Sequence, residues 1–281
     1  ITYDGIGNPL SYRDGLSMTW RNGRELASLT KNGVMASYLY DESGLRTKKT
    51  VGGVVTNYHV IDGRLYGEYT GSHRLLYMFD EAGTRYSFLY NGSTYYYVFN
   101  GQGDVIGITD GYGNMLARYT YDAWGKPLTI TDGAGADVSG NAGHIANVNP
   151  FRYRGYYYDA ESGLYYLQSR YYDPVVGRFI NADGVLGGNG DMLSFNLFGY
   201  CSNNPVNCTD PTGMFADAVS QAPSAQDAGI VWDIGSAILQ WLASGTATTA
   251  ASTAGIVALV IAMPVFLTGS VAHNPPRGAT T

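Results

Sequence analysis

The chain has 281 residues, enough for one large domain or two of ordinary size. Only 14% of its residues are charged, whereas glycine (38) and tyrosine (25) are in excess, a composition that indicates aromatic strands joined by many turns rather than a disordered chain. The net charge of −6, with no cluster of lysine and arginine to follow a phosphate backbone, argues against a nucleic-acid partner.

The first residues, ITYDGIGNPL, contain neither a basic segment nor an apolar segment of the kind that forms a signal peptide. They begin inside a repeat unit. The sequence therefore predicts the C-terminal fragment of a longer protein, and the missing targeting signal says nothing about that parent protein.

Residues 1–150 contain an internal repeat of an aromatic residue, an Asp or Asn, and a turn glycine. Its aromatic positions are 3, 20, 40, 58, 79, 99 and 121, with Trp20 and Tyr58 as degenerate copies, so successive copies lie 17 to 22 residues apart. This period is too short for a pair of helices and suits a β-hairpin. In YTYDAWGKPLTI, Tyr119 and Tyr121 lie on one face of a strand, Asp122 can bind turn amides, and Gly125 can adopt a positive φ. Because single hairpins are marginally stable, we expect them to stack into one long, twisted antiparallel sheet.

The stretch TDGAGADVSGNAGHIANVNP, residues 131–150, breaks this pattern with Gly, Ala and Asn. Such a composition predicts an exposed loop that departs from the sheet.

The chain is organised around residues 151–213. The first half of this region alternates runs of Tyr, Leu and Phe with turns that contain Asp and Gly, which predicts short aromatic strands in tight hairpins. The second half is richer in Asn, Asp and Pro, which predicts an irregular plug folded against those strands.

Two strings in this region, GYYYDAESGLYYLQSRYYDPVVGRFINADG at 155–184 and YCSNNPVNCTDPTG at 200–213, closely resemble the core-associated segment of RHS proteins. This YD-repeat family includes polymorphic toxins and the C subunits of insecticidal ABC toxins. The resemblance implies that the coiled repeat sheet forms part of a hollow shell. Together with the residue patterns, it predicts a mainly β fold: a long coiled antiparallel sheet with an irregular plug and a short α-helical apolar tail. It also implies a bacterial protein that is secreted or displayed at the cell surface.

Three regions follow from the repeats and the resemblance. Residues 1–150 are the YD/RHS repeats, residues 151–213 are the core-associated segment and plug, and residues 214–281 are a variable C-terminal region.

The resemblance also implies a candidate self-cleavage site, because many RHS relatives carry an aspartyl autoprotease in the plug that cuts just after a DPxG motif. Asp210 lies in DPTG, Asp183 lies in NADG, and Arg178 lies in GRF. The implied scissile bond is Met214–Phe215 or its neighbour.

The chemistry of such a site is that of a carboxyl pair. Two carboxyl groups held close together cannot both ionise, so one keeps its proton and acts as an acid while the other activates water. A nearby arginine can hold one of them ionised or polarise the scissile carbonyl. The alternative is that Asp183 and Asp210 only form turns, and Gly184, which stands where relatives often have proline, loosens the turn that places Asp183.

The composition changes at Met214, where tyrosine gives way to Ala, Ser and Thr. The segment GIVWDIGSAILQWLA at 229–243 has apolar residues near helical spacing and predicts an amphipathic helix. The uncharged segment AGIVALVIAMPVFLTGSVA at 254–272 approaches the length of a bilayer span, with Pro264 as a kink. Three interpretations stay open: a membrane-active segment, an apolar piece stored inside the shell, or the buried helix of a small domain.

No other motif predicts a cofactor or a metal site. The four histidines lie without Cys or His partners at ligand spacing, and NADGVLGGNGD at 181–191 lacks the alternating carboxylates of a calcium loop. Cys201 and Cys208 are interpreted as small buried thiols, with a disulfide as the alternative. Because no nucleophile and base appear together after Phe215, self-cleavage is the one enzymatic activity the sequence suggests.

The function predicted is that of the C-terminal part of an RHS toxin-type protein, whose shell encloses and presents its own tail after Met214. A membrane is a second possible partner, through residues 254–272. The alternative is a cell-surface module whose tyrosines bind carbohydrate or protein. The rings of Tyr96, Tyr119 and Tyr157 separate these hypotheses, because rings in a closed interior are explained by packing and rings in an open groove favour a ligand.

Overall fold

The computed structural model describes residues 1–184 and 196–218, all within one compact unit, Ile1–Ala228. Fourteen strands form one antiparallel sheet in which each strand pairs with the next in sequence, which confirms the predicted long sheet. These strands are β1 (Thr2–Tyr3), β2 (Pro9–Ser11), β3 (Ser17–Arg21), β4 (Glu25–Lys31), β5 (Val34–Tyr40), β6 (Arg46–Val51), β7 (Val54–Ile61), β8 (Arg64–Thr70), β9 (His73–Phe79), β10 (Arg85–Tyr90), β11 (Ser93–Phe99), β12 (Val105–Thr109), β13 (Met115–Tyr121) and β14 (Pro127–Asp132).

The repeat motif forms the turns at one end of this sheet. In the turn between β13 and β14, Asp122 Oδ1 accepts hydrogen bonds from the amides of Trp124 and Lys126, both at 2.9 Å. Gly125 donates its amide to the Asp122 carbonyl at 3.0 Å and has a φ of 87°, a conformation that favours glycine. The carboxamide or carboxylate of the equivalent residue binds turn amides in the same way at Asp4, Asp41, Asp80 and Asn100.

The alternation of strand direction explains the sequence period. Every second turn lies at the same end of the sheet, so one repeat covers two strands and the two turns that join them. Several turns at the opposite end are two-residue hairpins with positive φ at both positions, such as Asn32-Gly33 and Asn91-Gly92, as strand twist requires.

Residues 151–218 begin with the predicted aromatic hairpins. A second antiparallel sheet contains β15 (Tyr157–Asp159), β16 (Leu164–Leu167), β17 (Arg170–Asp173) and β18 (Arg178–Phe179), again in sequence order. The later described residues contain little regular structure, namely one 3-10 turn (Cys201–Asn203) and the short pair β19 (Cys208–Thr209) and β20 (Asp217–Ala218).

The core lies between the two sheets. One cluster joins β7–β13 to Phe151 and Tyr157, and a second joins β3–β5 to Leu164, Tyr171 and Ile180. A third cluster of buried residues lies within 153–201 and consists mostly of tyrosines, with Tyr121 and Trp124 packed against it. The small sheet therefore covers one face of the long sheet and buries its aromatic rings, which is the largest stabilising term available to such a composition.

The prediction that residues 131–150 form an exposed loop is wrong for the second part of this stretch. Residues 134–137 and 139–143 are exposed, but the short helix α1 (Ile145–Val148) returns to the core. Ala146 is buried and its carbonyl accepts a hydrogen bond from Tyr119 Oη at 2.8 Å, and buried Asn149 accepts one from Tyr97 Oη at 3.0 Å. The composition is misleading because a few apolar residues spaced among small ones are sufficient to pack against the aromatic cluster.

The predicted helices at 229–243 and 254–272, and most of the weak calcium-loop match at 181–191, lie outside the described residues. Across residues 1–184 and 196–218, no helix has the length and apolar character needed to cross a membrane. The same residues contain no group of three His, Cys, Asp or Glu that could hold a metal ion. Cys201 and Cys208 are free thiols, and burial raises the pKa of Cys201 to about 12.

Candidate self-cleavage site

Asp210 is buried at the end of β19. Its amide donates a hydrogen bond to Tyr156 Oη at 2.7 Å, and its side chain is 2% exposed. Burial raises the pKa of Asp210 above its ordinary value, although the charge of Arg170 and the amides of residues 213–215 act in the opposite direction. This carboxyl group is therefore suited to keep a proton.

Arg170, the first residue of β17, joins the two predicted aspartates. Its Nη1 lies 2.9 Å from Asp183 Oδ2 and its Nη2 lies 3.4 Å from Asp210 Oδ2. The guanidinium also lies over the Phe179 ring, with 3.7 Å between Cζ and the ring centroid. Burial lowers the pKa of Arg170 below its ordinary value, although Asp183 and Asp210 act in the opposite direction, and an arginine stays charged.

The same arginine contacts the backbone beyond Asp210. Its Nε donates a hydrogen bond to the carbonyl of Gly213, while the amide of Met214 donates one to Asp210 Oδ1 at 3.1 Å. The peptide bond between residues 213 and 214 thus lies between a cation at its oxygen and a carboxyl group at its nitrogen. Gly213 is buried, whereas Met214 and Phe215 are 47% and 63% exposed, so the bond lies at the boundary between the buried site and solvent.

Asp183 is held in place despite the glycine that follows it. Its amide donates a hydrogen bond to the Leu197 carbonyl at 2.8 Å, and the preceding residue, Ala182, bonds to the Gly7 carbonyl at 3.1 Å. Arg24 donates a further hydrogen bond to the Ala182 carbonyl. The Asp183 side chain is 22% exposed, which leaves it accessible to water while it pairs with Arg170.

The structure places Arg178 elsewhere. It is exposed, it pairs with Asp173 in the register of β17 and β18, and its Nη1 lies 3.4 Å from Asn196 Oδ1. The arginine between the two aspartates is Arg170, at the opposite end of the same hairpin. The sequence contains a signal for it, because a charged residue in a strand that is otherwise aromatic must find an anionic partner when the strand is buried.

Comparison with known proteins identifies the family. The family model described as RHS Repeat matches residues 99–137. The tRNA3(Ser)-specific nuclease WapA of Bacillus spizizenii is 41% identical over 222 residues, which cover 76% of this chain and 9% of that protein. The toxin protein Tse5 of Pseudomonas aeruginosa is 34% identical over 113 residues, which cover 37% of this chain and 8% of that protein.

Solved structures share the fold. The crystal structure of TcdB2-TccC3-Cdc42 superposes with a TM-score of 0.58 at 20% sequence identity, over 75% of this chain and 11% of that chain. The chain thus spans only a small part of the length of the relatives it matches. From its repeat, its relatives over three quarters of its length and its sheet architecture, the chain belongs to the RHS-repeat family.

Proposed function

We propose that the chain is a section of an RHS toxin-type protein, secreted or displayed at the surface of a bacterium, in which the β structure encloses and presents the region after Met214. The relatives support this, since they include a tRNA nuclease and a toxin protein of which this chain matches only a small part. Two hydrogen bonds between the sheets support it as well. The hydroxyls of Tyr165 and Tyr172 donate hydrogen bonds to the carbonyls of Gly125 and Trp124, at 2.9 and 2.7 Å. These bonds attach the small sheet to the turn between β13 and β14.

The second part of the proposal is that the chain cleaves its own backbone between Gly213 and Met214. The observation that carries it is the position of Arg170, which contacts the carboxyl groups of Asp183 and Asp210 as well as the carbonyl of this bond. The bond expected from the motif, Met214–Phe215, is the next one along the chain. The contact with Arg170 favours the bond before Met214.

The proposed reaction is a hydrolysis. Asp183, paired with Arg170 as a carboxylate, takes a proton from water as the water oxygen adds to the Gly213 carbonyl carbon. The negative charge that develops on the carbonyl oxygen is stabilised by the Nε–H of Arg170. Protonated Asp210 then gives its proton to the Met214 nitrogen as the C–N bond breaks. The products are a carboxylic acid at Gly213 and an amine at Met214, and the proton of the pair has moved from Asp210 to Asp183.

The intact mass of the purified chain tests this proposal. Cleavage gives two masses that divide the chain after Gly213, and cleavage after Met214 moves one methionine residue to the first fragment. We expect Asp183→Asn and Asp210→Asn each to leave a single full-length mass, because the amide keeps the shape of the side chain but cannot ionise. Asp110→Asn, in an exposed turn between β12 and β13, is the matched control and should cleave like the unchanged chain. A single full-length mass for the unchanged chain would contradict the proposal.

The positions of Tyr96, Tyr119 and Tyr157 distinguish this proposal from a surface-binding module, and they favour the proposal. Tyr119 and Tyr157 are buried and Tyr96 is half-buried. Tyr157 donates a hydrogen bond to Glu68 Oε2 at 2.6 Å, deep between the two sheets. Packing explains two of these three rings, so a role in binding carbohydrate has less support than a role in enclosing the tail.

A further inference from the structure

The turn between β16 and β17 holds the residue before the proposed scissile bond. Gln168 and Ser169 form this turn, and Ser169 donates two hydrogen bonds to the carbonyl of Thr212. Its backbone amide lies 3.1 Å and its Oγ 2.7 Å from that oxygen. No regular strand pairing produces these contacts, which join positions that are 43 residues apart in the chain.

The same turn leaves no room for a side chain at residue 213. A Cβ on Gly213 would lie 2.7 Å from the Leu167 carbonyl oxygen, 2.8 Å from Ser169 Oγ and 3.1 Å from the Arg170 amide. Two of the three atoms belong to the backbone and cannot move aside cheaply. The φ of Gly213, 71°, also lies in the region that glycine adopts most easily.

We infer that residues 167–170 are the substrate-recognition turn of the self-cleavage reaction. Ser169 is a positioning residue that fixes the Thr212 carbonyl, and the walls of the turn accept only glycine at position 213. This inference rests on the proposed function, for which it names the sequence requirement of the site.

The chemical reason is that one peptide plane determines the next. With the Thr212 carbonyl fixed, the small range of angles open to Gly213 directs its own carbonyl towards Arg170 Nε. A displacement of about 1 Å at a reacting group can lower a rate by about 100-fold, so a turn that touches no reacting atom still controls the reaction.

The test measures the cleavage rate of the full chain during cell-free translation, with a pulse of labelled amino acid and gel analysis of the two products. We expect Ser169→Ala, which loses one of the two hydrogen bonds, to slow cleavage by about fivefold. Ser169→Thr keeps the hydroxyl and should restore a rate close to that of the unchanged chain. We expect Gly213→Ala to slow cleavage by about 100-fold or more. Ser43→Ala, which removes a hydroxyl from a distant turn, is the control and should not alter the rate.

Thermal unfolding separates positioning from a structural role. Measured in the uncleaved Asp210→Asn background, Ser169→Ala should have the midpoint of that background, because Ser169 is exposed and its hydroxyl can bond to water. A lower midpoint with an unchanged cleavage rate would make the turn merely structural and overturn the inference. Equal cleavage of Ser169→Ala and the unchanged chain overturns the recognition turn and leaves self-cleavage standing. No cleavage of the unchanged chain in the same assay overturns both.

Discussion

Arg46 and Asp159 form a bidentate ion pair between the two sheets, with Nη1–Oδ2 and Nη2–Oδ1 distances of 2.6 and 3.1 Å. Both side chains are almost inaccessible to solvent, at 1% and 0%. Burial opposes ionisation, but the charges of Arg46 and Lys49 hold the pKa of Asp159 below its ordinary value. The Tyr166 ring lies against the guanidinium at 4.3 Å and shields the pair from water. The pair therefore fixes β15 to β6 at one position.

Removal of one partner of this pair should destabilise the fold strongly. Asp159→Asn leaves the Arg46 charge buried without its counter-ion, which costs about 3–5 kcal/mol of the free energy of unfolding. Urea denaturation in the uncleaved Asp210→Asn background measures this loss. Asp14→Asn, which removes an exposed partner of Arg13, is the control and should cost less than about 1 kcal/mol. Equal losses for the two variants would show that the buried pair has no special role.

Glycines in two turns of the long sheet should respond differently to the same substitution. Gly125 and Gly113 have nearly equal φ values, 87° and 84°, but a Cβ on Gly125 would overlap the Tyr153 ring, whereas one on Gly113 meets nothing within 4 Å. We expect Gly113→Ala to cost about 1–2 kcal/mol from the left-handed backbone alone. Gly125→Ala should cost about 1–3 kcal/mol more because the Tyr153 ring must move. Urea denaturation of both variants measures the difference, and similar losses would mean that Tyr153 does not pack on this turn.

Replacement of Arg170 should abolish cleavage more completely than replacement of Arg178. A lysine at position 170 carries one nitrogen in place of three, so it cannot contact Asp183, Asp210 and the Gly213 carbonyl together. We expect Arg170→Lys to slow cleavage by about 100-fold or more, as for the loss of a donor to a developing oxyanion. Arg178→Lys, at an exposed position of β18, should cleave at the unchanged rate. The pulse-labelled translation assay compares them, and the opposite ranking would return the role to Arg178.

The pH dependence of cleavage should follow the proton on Asp210. Because burial raises its pKa, the protonated acid form is complete below the ordinary aspartate range and is lost as the pH rises through the raised value. The cleavage rate should therefore fall as the pH rises through that value. Time courses begun by refolding a chain kept unfolded in urea, at a series of pH values, measure this profile. A rate that increases steadily with pH would exclude Asp210 as the proton donor.

The sequence by itself determined the elements whose causes are local. The alternation of Tyr119 and Tyr121 predicts a strand, and Asp122 with Gly125 predicts its turn, because both depend only on residues a few positions apart. Repetition of this unit at a period of about twenty residues is sufficient to predict a long antiparallel sheet. The strings at 155–184 and 200–213 predicted the family, and both carry a member of the aspartate pair.

Only the tertiary structure decided which groups meet. Arg170 and Asp210 are 40 positions apart in the chain, and their contact depends on how β17 packs beside the segment that follows β19. The family resemblance pointed to Arg178 through the GRF string, yet the register of β17 and β18 places Arg178 at the far end of the hairpin from Arg170. The packing of α1 against Tyr119 was missed for the same reason. Local periodicity sets strands and turns, but burial, and with it the raised pKa of Asp210, arises from contacts between residues that are distant in sequence.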